Sequence, residues 1–276
     1  MPLSIGAPGG FARPLPPNIA VMYEEAIRDE FTHQSDSFAE SPAMSAAEIL
    51  GALVELAPAD EEARWLDVAC GPGLVTRALA PRVGSVLGVD LTPAMVEKAS
   101  ADATAAGLGD RVSFAIADAT ALELEDGVLD GAITRFSFHH IPVPSRVMAE
   151  MARVVRPGGW VVVGDHLTDE DADAAAWHQE IERLRDPTHW ASQTESRLRA
   201  MGEEAGLLLD EERVAEIELD FGEWLGRGSG GADAAALIDR LLARPAGSRC
   251  FRVVEREGGL RRLLLRYWLS RWRRPG

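Results

Sequence analysis

Between positions 65 and 163, short continuous apolar runs alternate with stretches of helical periodicity. The runs 65–69, 86–89, 112–116, 131–134 and 160–163 have the length and apolar content of buried strands. The stretches 74–80, 93–106 and 144–154 lie between them and read as helices. Such alternation predicts an α/β fold, a doubly wound and mostly parallel sheet with helices on both faces. Arg156-Pro157-Gly158-Gly159 is expected to stop the helix before it sharply, ahead of the fifth strand. Upstream, residues 1–18 hold five prolines and three glycines and read as an extended arm. From Asn18 to about Leu56 the pattern is helical, with Ile49, Leu50, Leu53 and Leu56 on one packing face. Downstream, helices at 171–185 and 193–205 precede a strand at 213–219 and a less regular stretch containing Gly226, Gly228, Gly230 and Gly231. The runs 250–255 and 262–269 flank Glu257-Gly258-Gly259 and read as an antiparallel hairpin. The expected organisation is an arm and helical lid at 1–60, a core at 61–220, and a helical insertion with a sheet-completing hairpin at 221–276.

The chemistry starts where the first strand breaks. Trp65-Leu66-Asp67-Val68-Ala69 runs into Cys70-Gly71-Pro72-Gly73, and the second strand ends on Asp90, 19 positions after Gly71. A glycine turn admits a ligand close to the backbone, and the next helix offers unpaired N–H groups. A carboxylate ending the neighbouring strand suits the two hydroxyls of a ribose. The pattern describes a pocket for an adenosine-type cofactor. A dinucleotide fingerprint requires a third glycine where this chain has Thr76. Asp67, four residues before Gly71, has no task beside a pyrophosphate but suits a cationic amino group. The ligand carrying such a group is S-adenosylmethionine.

Composition narrows the partners. The 276 residues are 46% hydrophobic and 26% charged, which allows a sizeable core. A formal net charge of −16 and a pI near 4.8 repel nucleic acid and anionic membranes, and are compatible with a cationic cofactor. Cys70 and Cys250 make no disulfide framework, and Cys70 reads as packing. No apolar stretch reaches ~18 residues and the start has no basic segment with an apolar core behind it, so a cytoplasmic location is expected. The last 16 residues hold six arginines among Leu, Tyr and Trp, read as an edge strand with a solvated face. The expected partner is a small-molecule substrate, with no nucleic acid and no membrane; a homodimer stays open.

Several blocks together carry a family resemblance. They are Phe31-Thr32-His33-Gln34-Ser35-Asp36-Ser37-Phe38, the block 66–73, and Leu87-Gly88-Val89-Asp90-Leu91-Thr92-Pro93-Ala94-Met95. Ile116-Ala117-Asp118-Ala119, Arg135-Phe136-Ser137-Phe138-His139-His140 and the block 148–159 follow in order. In this order and spacing the chain resembles the Rossmann-like class I methyltransferases, the broad group around quinone-biosynthesis C-methyltransferases and natural-product O-methyltransferases. The resemblance implies S-adenosylmethionine as cofactor. It also implies that Asp67, Ala69 and the Gly71–Gly73 backbone hold the methionine part, with Asp90 on the ribose. Leu91 and Met95 would sandwich the adenine, Asp118 would take its exocyclic amine, and Ala119 would lend a backbone N–H. Arg135 and Phe136 would meet the methionine end mainly through backbone. Phe38 stands where related proteins often place a tyrosine.

His139 and His140 follow the fourth strand, at the rim where open α/β sheets place ligands. An imidazole there can take a hydroxyl or phenol proton as the methyl arrives, as in similar sugar and phenol O-methyltransferases, or serve packing under the next helix. Asp165 and His166 end the fifth strand and can orient that base or cap a loop. His178 and His189 are expected on helical or loop surface, and no Cys/His spacing follows a zinc pattern, so no metal is expected. The expected activity is methyl transfer to a small molecule, oxygen preferred. Three other readings share the pocket: a relative catalysing cyclisation or rearrangement, a NAD-type oxidoreductase, and a non-enzymatic cofactor-binding regulatory subunit.

Overall fold

A computed structural model describes residues 22–32 and 47–276 of the chain. Phe38 and His33 lie outside the described residues. A helix α1 covers 22–32. It is followed by α2 (Ala47–Glu55), β1 (Asp60–Val68), α3 (Leu74–Leu79), β2 (Val83–Asp90), α4 (Pro93–Ala105), β3 (Val112–Ile116), β4 (Leu129–Arg135), α5 (Pro144–Val154) and β5 (Val155–His166). Then come α6 (Ala172–Arg185), α7 (Glu195–Glu204), β6 (Leu208–Asp220), α8 (Phe221–Arg227), α9 (Gly231–Leu242), β7 (Phe251–Arg256) and β8 (Leu260–Arg273). All five strands and three helices expected between 65 and 163 are present.

The sheet runs β3-β2-β1-β4-β5-β8-β6, with β7 also on β8. Strands β1 to β5 pair in parallel, and β8 is antiparallel to β5, β6 and β7. The chain winds outward from β1 to β3, then returns to place β4 on the other side of β1. That reversal opens a crevice at the C-terminal ends of β1 and β4. Each sheet face has its own core. One packs Leu53, Val75, Leu79 and Ala103 against Trp65 and Ile133. The other packs Met148, Met151, Leu198 and Met201 against Leu66, Val161 and Trp272. A third cluster joins Trp177, Ile181, Trp224, Ile238 and Phe251, which holds α6, α8 and α9 over the hairpin.

Three expectations are corrected. Arg156-Pro157-Gly158-Gly159 lies inside β5 as a bulge, because pairing resumes only at Gly131↔Trp160 after a shift from Leu129↔Val155. The arginine-rich C-terminus is an interior strand, with β5 on one side and β6 on the other. Tyr267, Trp268 and Trp272 are fully buried, while the arginines fan outward to carboxylates such as Asp210, Asp239 and Asp220. The glycine-bearing stretch after β6 is two helices, α8 capped by Asp220 accepting from the Glu223 N–H at 3.0 Å.

Candidate functional site

The crevice holds a cavity of about 370 Å³ lined from the ends of β1, β2 and β4 and from α1. Two non-glycine residues among those described have positive φ, Ala69 at 53° and Phe136 at 55°. They follow β1 and β4 directly, and both line the cavity. Such backbone costs free energy for a side-chain-bearing residue and collects at ligand sites. Here it turns both strand ends around the crevice.

Asp67 is buried at the end of β1, and Thr76 Oγ1 donates to its Oδ2 at 2.5 Å. This accounts for the threonine at the third fingerprint position: it orients a carboxylate rather than clearing space for a pyrophosphate. Burial pushes the Asp67 carboxyl up to about 7, against the Thr76 hydroxyl and the Arg135 charge, which pull it down. Asp90 accepts the Gly71 N–H on Oδ2 and the Thr92 N–H on Oδ1, both at 2.9 Å. Burial raises the Asp90 carboxyl while those N–H groups oppose it. The bonds fix both oxygens beside the glycine turn.

Gly71 (φ 52°) borders the cavity, with open space where a Cβ would stand. Gly73 does not line it. Its φ is 74°, its N–H is used by the Cys70 carbonyl, and an added Cβ would meet Ala99 and Phe114 at 3.0 Å. Gly73 therefore serves packing of α3 on the sheet. Gly73→Ala is expected to destabilise by about 1–3 kcal/mol through backbone strain and crowding, read as a lower midpoint in urea unfolding.

Leu91, Met95, Asp118 and Ala119 line the cavity beyond Asp90. Asp118 is held by the Thr120 N–H at 2.8 Å and the Thr120 hydroxyl. Arg135 is buried beside Asp67, its guanidinium 5.2 Å from the Phe136 ring centre. Burial lowers the Arg135 pKa. The Cys70 thiol, pushed well above its usual range by burial, is packing.

The histidine pair divides. His140 lines the cavity; His139 is not on its wall. His140 Nδ1 lies 3.3 Å from the Thr188 carbonyl, which makes Nδ1 the protonated nitrogen and leaves the lone pair on Nε2. His139 sits behind, with Nδ1 at 2.7 Å from Asp165 Oδ1. Asp165 is buried and also accepts the Phe138 and His166 N–H groups, each at 2.8 Å. His178 and His189 are buried rather than on the surface, His178 on α6 and His189 in the loop after it. Burial drives His139 and His189 well below the usual imidazole range and His166 down to about 3, so these rings are neutral.

Tyr23 and Phe31 were missing from the expected site. The Tyr23 hydroxyl lies 2.5 Å from the Thr188 carbonyl and 2.9 Å from that of His140, and the Phe31 ring meets His140 edge-on at 4.8 Å. Tyr23, Ile27 and Phe31 all line the cavity and recur every four residues, a helical stripe visible in the sequence. Arg146, exposed at the cavity rim, had no such signal.

Residues 66–163 match the family described as a methyltransferase domain. The chain is 29% identical over 203 residues to the uncharacterized methyltransferase YcgJ of Bacillus subtilis, covering 74% of this chain and 80% of that one. The solved YcgJ structure superposes with a TM-score of 0.78 at 27% identity, over 83% of this chain and 99% of that one. The 27-O-demethylrifamycin SV methyltransferase of Amycolatopsis mediterranei is 39% identical over 106 residues, 38% of this chain and 39% of that one. Among the described residues no helix is long and apolar enough to cross a membrane.

Proposed function

We propose that the chain is a class I, S-adenosylmethionine-dependent methyltransferase, a reading supported by the methyltransferase-domain match and the likeness to YcgJ, and that it methylates a hydroxyl or phenolic oxygen of a small molecule, with His140 accepting the proton. The observation that carries this reading is the placement of His140. It lines the cofactor-side cavity with Nδ1 committed to a carbonyl, which leaves Nε2 as the base.

The donor set fits the cofactor. Asp67 offers a buried carboxylate for an ammonium group, the open Gly71 turn lets a ligand reach the backbone, and Asp90 offers a carboxylate for ribose hydroxyls. Leu91 and Met95 supply apolar walls for adenine, and Asp118 with Ala119 its polar edge. Arg135 and Phe136 close the methionine end. When bound, S-adenosylmethionine supplies a sulfonium-activated methyl group. The protein aligns the acceptor oxygen, excludes water and removes a proton. On the acceptor side α1 contributes Tyr23, Ile27 and Phe31 to the wall. The likeness to the 27-O-demethylrifamycin SV methyltransferase supports a small acceptor.

Incubation with methyl-labelled cofactor and a panel of phenols and secondary alcohols tests the reading. Label on an acceptor oxygen is the expected result. An acceptor that is isomerised or cyclised without gaining label would contradict it.

Asp67 gives a pH dependence. Its carboxyl sits near 7 in the free protein, and an ammonium beside it favours the ionised form. Cofactor binding is therefore expected to release a proton near pH 7 and to weaken by up to about tenfold per pH unit below it. Calorimetry in buffers of different ionisation heat reads the proton. Asp67→Asn is expected to remove both the release and the pH dependence.

A further inference from the structure

Behind His140 lies a polar cluster that the methyl-transfer reading does not use. Every histidine among the described residues belongs to it or borders it: His139, His140, His166, His178 and His189. The ring of His139 lies 4.0 Å from that of His166 and 5.6 Å from that of His189. One nitrogen from each of these three buried rings lies within 4.8 Å of the other two.

The hydrogen bonds of His139 and His189 settle which of their nitrogens keeps a lone pair. Gln179 Oε1 accepts the Ser192 N–H at 3.0 Å, so it is the amide oxygen. The His189 Nε2 at 2.6 Å from it must then be a donor, and the lone pair falls on Nδ1. Among the described residues His189 Nδ1 is buried without a partner. His139 donates through Nδ1 to the Asp165 carboxylate, leaving its Nε2 lone pair. His166 Nε2 is likewise buried and unpartnered among the described residues. Two orphaned ring nitrogens in one buried cluster are costly unless a ligand satisfies them. Glu182 repeats the anomaly. It is fully buried, and among the described residues neither carboxylate oxygen has a hydrogen-bond partner, with His178 Nε2 at 3.7 Å and Arg185 Nε at 3.4 Å as ion-pair neighbours.

We propose that His139, His166 and His189 bind one divalent transition-metal cation of the zinc type. Three neutral imidazoles are the donor set such cations prefer, whereas magnesium and calcium require oxygen. Metal–nitrogen bonds of roughly 2.0–2.1 Å put tetrahedral ligands about 3.3 Å apart, which modest ring rotation reaches from the present separation. The Asp165 carboxylate on His139 and the Gln179 amide on His189 are the outer partners that fix tautomer and ring orientation at metal sites. Glu182, whose charge acts on all three rings, supplies counter-charge. The ion would clamp the turn after β4, the end of β5 and the loop after α6. Those segments hold His140 against the cavity.

The test is a titration of the tag-free full chain, stripped with a chelator, with cobalt(II) alone. One cobalt per chain with the visible absorption of a four-coordinate nitrogen site, displaced by zinc, is expected. Zinc should raise the melting temperature of the stripped protein. His166→Gln and His189→Gln are expected to lose cobalt, while His140→Gln, on the cavity wall, keeps it. No saturable cobalt uptake by the wild-type chain would overturn the proposal, whatever the variants do. So would uptake that persists in folded His166→Gln and His189→Gln, checked by circular dichroism.

Discussion

His140→Gln should lower kcat by about 10²–10⁴-fold while leaving S-adenosylmethionine affinity within about twofold of wild type. Glutamine still reaches the Thr188 carbonyl through its amide N–H, so the local hydrogen bond and the Phe31 contact have a substitute. It cannot accept a proton at neutral pH, so the acceptor must lose its hydrogen to water during transfer. The carboxylates of Asp67 and Asp90, proposed to hold the cofactor, are untouched by this change. A loss confined to kcat, measured as labelled product at saturating cofactor, is the signature of a base. An equal loss in cofactor affinity would mean that His140 shapes the pocket instead.

Asp90→Ala should weaken S-adenosylmethionine binding by about 10²-fold or more. Hydrogen bonds to a charged group contribute about 1.5–3 kcal/mol each, and a ribose presents two hydroxyls to this carboxylate. Each 1.4 kcal/mol is a factor of ten. The substitution also unties the Gly71 and Thr92 N–H groups that Asp90 anchors, so the glycine turn loosens as the ribose contact is lost. Asp90→Asn should fall between the two. Its amide keeps one accepting oxygen but turns an NH₂ toward one of those N–H donors. Equilibrium dialysis of the three proteins gives the order wild type, Asn, Ala. An alanine variant that binds as tightly as wild type would remove Asp90 from the site.

The sequence disclosed the half of the fold in which burial is two-sided. The apolar runs of β1, β2 and β4 are mostly buried on both faces, so they read as continuous apolar stretches, whereas β3 at the sheet edge is mostly exposed. The strand β8 is just as interior, but Arg266, Arg271 and Arg273 interrupt its apolar positions, Arg271 pairing outward with Asp210, which made it look like an edge. The cavity wall was legible because Asp67, Gly71 and Asp90 sit at fixed offsets along a strand–turn–helix unit. The offset pattern could not separate Gly71 on the wall from Gly73 in the packing behind it, since both need positive φ. The backbone turns at Ala69 and Phe136 have no residue-type signal at all. The histidine cluster was illegible for a different reason. Its members come from the turn after β4, the end of β5, α6 and the following loop, and only the sheet brings them together.

Calorimetric titration of the wild-type chain with S-adenosylmethionine and, separately, with NAD tests the central claim most directly. One-to-one S-adenosylmethionine binding in the micromolar range, with a heat that depends on buffer ionisation near pH 7 and no heat from NAD, is the predicted result. NAD binding, or no binding of S-adenosylmethionine, would contradict it.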